Sequence, residues 1–186
     1  MTATGLFVET FREGMLSALG HDLCIAVERF ELRVDRGQLT GSVELASLRV
    51  LGCLRRGQLD ATVPSPSERA EIEQRMRGEI LAASRHPRAS VRGTVQPSGS
   101  DWTLAGTLEL KGRAEPLRAR IGRAGDQLVS SIELRPSAFG IAPFRALGGA
   151  LRIADRVLVR AVLSTAEAEP GLDLATVTGC WQRPKS

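Results

Sequence analysis

The sequence predicts an all-β protein with one long helix, arranged as a single antiparallel β-barrel with the helix crossing its mouth. Three observations carry this. Apolar and polar residues alternate with period two over most of the chain, the mark of strands with one buried face. Two of these rows switch parity midway, as sharply curved sheets require. Residues 65–84 break the alternation with helical spacing and helix-start chemistry.

The elements follow in order. Residues 5–11 make a first short strand. Residues 23–34 put Leu23, Ile25 and Val27 on one parity, then Phe30, Leu32 and Val34 on the other. A one-residue switch keeps the same face inward only if the strand bends. Residues 39–51 repeat the event, with Leu39, Gly41, Val43 and Leu45 followed by Leu48 and Val50. In residues 65–84, Ser65 or Ser67 can cap, and Pro66, Glu68 and Glu71 suit a first helical turn. Ile72, Met76, Ile80 and Leu81 share one face. A helix over about 66–84 is therefore expected, ending before Pro87.

Strands then resume at 89–95, 102–110, 117–121, 128–134 and 157–163, separated by turn signals such as Pro97–Gly99 and Lys111–Gly112. The expectation is eight strands in one domain over 1–164. An irregular tail over 165–186 follows, in which Leu174, Val177 and Trp181 are available to pack back.

Several rows read large–small–large: Gly93 between Val91 and Val95, Gly106 between Leu104 and Leu108, Ala119 between Leu117 and Ile121, Ala161 between Val159 and Leu163. Facing inward, these small residues leave a dry void, and an eight-stranded barrel is wide enough for one small guest. Two other readings fit the same spacing. The small residues relieve crowding where strands bend, or the rows belong to a sandwich with a filled core.

Composition narrows the function. The 186 residues are 42% apolar and 25% charged, the balance of a globular domain. No apolar run reaches the ~20 residues of a membrane-spanning helix. Residues 1–20 lack the basic start of a signal peptide, so with Met1 as the natural start the expected location is cytoplasmic. Three scattered cysteines make no disulfide framework. The net charge of +4 is a mild, dispersed excess. That argues against nucleic acid and is compatible with transient contact with an anionic membrane. No zinc set, phosphate loop (Gly148–Gly149 lacks the following Lys) or nucleophile elbow occurs, so no metal, cofactor or catalytic residue is expected. His21–Asp22 is the one suggestive pair. It reads either as a rim contact for a guest's head group, through His21, or as a turn in which Asp22 satisfies nearby backbone groups. The Arg-rich positions Arg92, Arg118, Arg120, Arg156 and Arg160 read as solvated outer faces.

Longer segments carry a family resemblance. "LAGTLELKGRAEPLRARI" (104–121), "LRPSAFGI" (134–141), "GALRIADRVLVRAVL" (149–163) and "MRGEILAASRHPRASVRGTV" (76–95) stand in an order that resembles the YceI family over about residues 5–163. The resemblance implies an elongated, lipocalin-like eight-stranded barrel. It would hold an isoprenoid or other long-chain lipid, quinone-like or polyprenyl, as a carrier or sequestering protein. A ligand-free scaffold barrel with a filled core is the alternative, and a homodimer is left open. The expected lining is Leu23, Ile25, Leu104, Gly106, Leu108 and Ile132. To these are added Phe139, Ile141, Val157 and Val159, with Met76 and Ile80 from the helix.

Overall fold

The computed structural model describes residues 5–13, 22–143, 145–146, 151–164 and 177–180. Among them are strands β1 (Gly5–Glu13), β2 (Leu23–Val27), β3 (Arg29–Asp35), β4 (Gln38–Glu44), β5 (Leu48–Arg55) and β6 (Gln58–Asp60). After a helix, α1 (Pro66–Arg75), come β7 (Arg88–Ser98), β8 (Asp101–Leu110), β9 (Arg113–Ala124), β10 (Gln127–Leu134), β11 (Arg145–Ala146), β12 (Leu151–Ser164) and β13 (Val177–Cys180). These thirteen strands form one curled antiparallel sheet in the order β13-β3-β4-β7-β8-β9-β10-β12-β1-β2-β5-β6, with β11 against β12. The two arms of this order meet through the backbone at Glu28, where β2 hands over to β3.

The strand count differs from the expected eight for a physical reason. Each parity switch is a real break. The first falls at Glu28, between β2 and β3. The second is a 3-10 turn, Leu45–Ser47, between β4 and β5. Two expected strands thus become four, and the short β6, β11 and β13 join the ladder. The last of these lies in the supposedly irregular tail, with Val177 opposite Leu32. The rest of that tail, together with Gly148–Gly149, lies outside the described residues.

The two breaks are tied to each other. Ser47 is fully buried, at 0% exposure. Its Oγ donates to Glu44 O (2.7 Å) and accepts from Arg29 N (3.0 Å), while its carbonyl accepts from Glu28 N (3.1 Å). One hydroxyl therefore satisfies backbone groups that both bends would leave orphaned.

Helix α1 begins as its first turn predicts. Ser65 Oγ accepts from Glu68 N (3.4 Å), and Glu68 Oε2 accepts from Ser65 N (2.8 Å). This reciprocal capping box holds Pro66 at the first helical position. The helix stops short of the expected residue 84. Met76–Ile80 widens into a π-turn, with Leu81 N donating to Met76 O (2.9 Å), and Ala82 then enters the left-handed region at φ 48°. No residue of α1 itself is buried. Side-chain bonds hold α1 and its π-turn down. Val50 N donates to Glu73 Oε1 (2.9 Å), and Lys111 Nζ donates to Ile80 O (2.8 Å).

Outward strand positions carry the ion pairs, Arg160–Glu9 (3.0 Å) and Arg120–Asp101 (2.7 Å) among them. Arg92, Arg118 and Arg156 are exposed as well, so the arginines sit on the outer face. Cys24 and Cys53 are buried free thiols. Burial, seconded by the Glu9 carboxylate, pushes the Cys24 thiol from 9.0 up to about 11. The folded chain thus keeps this proton where the unfolded chain has lost it. The stability this contributes is intact below about pH 9 and lost as pH rises towards 11. Urea midpoints measured across that window should fall, and should fall less in Cys24→Ala.

Candidate functional site

The inward rows enclose a cavity of about 680 Å³, within the range of small-molecule sites. Its wall is built from both arms of the sheet. Leu6 and Val8 (β1), Leu23, Ile25 and Val27 (β2), Leu104 and Leu108 (β8), Ile132 (β10), and Val157, Val159 and Ala161 (β12) all face it. One end is bounded by α1 and its π-turn through Ile72, Met76 and Ile80. Two apolar clusters pack along its length. One is centred on Ile25, Phe30, Leu48, Met76 and Phe139, the other on Val34, Val95, Leu104 and Leu117.

Every lining residue expected from the sequence faces this cavity except Gly106. That glycine lies directly opposite Gly93 on the neighbouring strand. A Cβ at Gly106 would sit 2.2 Å from Arg92 O and 2.7 Å from Gly93 Cα. Its missing side chain lets β7 and β8 approach, so the crowding explanation applies here rather than the void. Ala161, by contrast, does face the cavity.

A second segment against the cavity is Pro136–Phe139, a 3-10 turn followed by Gly140 in the left-handed region at φ 70°. It presents Pro136, Phe139, Ile141, Ala142 and Pro143 to the cavity. Asp155 on β12 secures it, accepting from Ser137 N (2.8 Å) and from the Ser137 hydroxyl. The Ser137 hydroxyl, and then its amide, hold the Asp155 carboxyl below its ordinary value. A depressed carboxylate stabilises above the ordinary range and ceases to do so as pH falls through its folded pKa. Hydrogen-exchange protection of the Ser137–Gly140 amides should therefore hold steady above about pH 5 and fall away below about pH 4. Asp155→Asn should lose that protection at every pH.

Asp22 is a structural residue. It accepts from Arg12 N (2.8 Å), and its carbonyl accepts from Leu54 N (2.7 Å). His21 lies outside the described residues. Among the described residues no three His, Cys, Asp or Glu gather to hold a metal ion, and no helix is long and apolar enough to cross a membrane.

A family model described as the YceI-like domain matches residues 26–165. The chain belongs to the YceI-like family. The crystal structure of Burkholderia cenocepacia BcnA shares the fold with a TM-score of 0.57 at 15% identity, over 84% of this chain and 94% of that one. The Campylobacter jejuni YCEI protein, crystallised with large solvent channels, overlaps at 11% identity over 63% of this chain and 70% of that one, with a TM-score of 0.42. No curated protein sequence matches. In this YceI-like chain the family match runs from Ala26 in β2 to the end of β12 and so contains most of the cavity wall.

Proposed function

We propose that the protein binds a long-chain apolar lipid of isoprenoid type inside the curled sheet, as a carrier or sequestering protein, and performs no chemistry of its own. The observation that carries this is a cavity whose strand-borne wall is almost wholly Leu, Val, Ile and Ala. Such a wall stays dry and favours hydrocarbon, at about 0.8 kcal/mol per buried CH₂. In this reading each broken strand counts as one bent strand, and the sheet acts as an eight-stranded barrel elongated along the lipid tail. Membership of the YceI-like family supports the polyisoprenoid class of guest.

Native mass spectrometry of the gently purified protein, followed by analysis of its organic extract, tests the proposal. The expected result is one lipid per chain, released on unfolding. A bare mass, with no uptake of added long-chain alcohol, would instead favour a scaffold that leaves its cavity unused.

A further inference from the structure

The cavity opens to water at one end. Among the described residues, the exposed members of its wall are Glu68, Glu71, Arg75 and Glu79 of α1 and its π-turn, and Ala142 beyond the Pro136–Phe139 turn. The turn between β8 and β9 brings these two segments to the same end. Lys111 Nζ donates to Ile80 O (2.8 Å), and a Cβ at Gly140 would lie 3.1 Å from the Arg113 guanidinium carbon. A guest therefore meets the cavity between the helix and the Pro136–Phe139 turn.

The opposite end is blind. Val34, Val95, Leu104 and Leu117 are all buried there and pack into one cluster. Val34, Leu104 and Leu117 belong to the wall, and Val95 lies behind it. Register explains this floor. Leu39, Gly93, Gly106 and Leu117 stand opposite one another across β4, β7, β8 and β9. The paired glycines leave a hollow between two leucines, and Leu104 reaches into it: a Cβ at Gly93 would lie 3.0 Å from Leu104 Cδ1. Below the cluster the corner is tied shut, with Val95 N donating to Gly37 O (2.7 Å).

At roughly 30 Å³ per methylene, about the liquid share of a water molecule, 680 Å³ holds about twenty carbons. Resting on the lipid-carrier reading above, we infer that the cavity is a blind pocket that admits a single tail end first and limits its length to about twenty carbons. The class of guest is an amphiphile whose tail is about four isoprene units, or a straight chain of the same size. Leu104 and Leu117 set the limit from the floor. Carbons beyond it find no apolar wall and stay in water at the mouth. Each such carbon lowers the preference for the protein over a bilayer about fourfold.

A ladder of straight-chain alcohols, from tetradecanol to triacontanol, tests it. The mixture is offered in phosphatidylcholine vesicles to protein stripped of lipid, and the alcohols recovered with the protein are quantified by gas chromatography. The ratio of protein-bound to vesicle-bound alcohol should stay level up to icosanol and fall at least about tenfold by tetracosanol. Leu104→Ala and Leu117→Ala each remove about three carbons from the floor. Each should move the fall-off about three carbons longer, so that docosanol loads as icosanol does. Circular dichroism checks both variants, and either one, folded, suffices for the comparison. A ratio that stays level to triacontanol, or a fall-off that a folded floor variant leaves in place, overturns the length limit while leaving the carrier reading intact. If no alcohol of any length moves to the protein, the carrier reading itself falls, and the limit with it.

Discussion

Replacing Ala161 with Trp should abolish guest uptake and leave the sheet folded. Ala161 sits on β12 between Leu6 of β1 and Ser130 of β10 and faces the cavity. An indole there occupies space in the path of a tail rather than in a packed contact. Displacing about four methylenes at about 0.8 kcal/mol each removes roughly 3 kcal/mol of binding, a loss of more than a hundredfold. Calorimetric titration with hexadecanol reads this directly, with circular dichroism as the check on folding. Undiminished affinity in a folded variant would mean that the guest does not lie along this wall.

Gly106→Ala should be strongly destabilising, although it adds a single methyl group. The new Cβ would meet the carbonyl oxygen of Arg92 and the Cα of Gly93, both backbone atoms within a paired ladder. Neither can swing aside as the tip of a flexible side chain could. Parting the strands costs about 3 kcal/mol, which lowers Tm by roughly 6–12 °C in a chain of this size. Gly78→Ala supplies a control of opposite sign. A Cβ at Gly78 meets nothing within 4 Å, and alanine suits helical backbone better than glycine. Thermal denaturation of the two variants side by side should move Tm in opposite directions. A Gly106→Ala protein that melts like the parent would refute the close approach of β7 and β8.

The inward rows were legible because a strand's side-chain period is a local property. Leu104 and Leu108, or Val157 and Val159, share a face whatever lies opposite. The parity switches at Glu28 and at Leu45–Ser47 were legible for the same reason, as was the start of α1, where Ser65, Pro66 and Glu68 stand within one turn. Gly106 shows the limit. Alternation puts it on the row of Leu104 and Leu108, but which atoms its missing side chain would meet depends on the register with β7. Gly93 comes opposite only once that pairing forms.

The same limit hid the polar fastenings. Spacing along the chain does not single out Ser47, Glu73 or Asp155. Each acts on a partner 18 or more residues away: Arg29 for Ser47, Val50 for Glu73, Ser137 for Asp155. Patterning along the chain thus settled the element types, their inward faces and the apolar character of the cavity wall, because these follow from intervals of two and of three to four residues. Register and the stapled bends were settled by folding, because each depends on which distant backbone atoms come to lie within bonding reach.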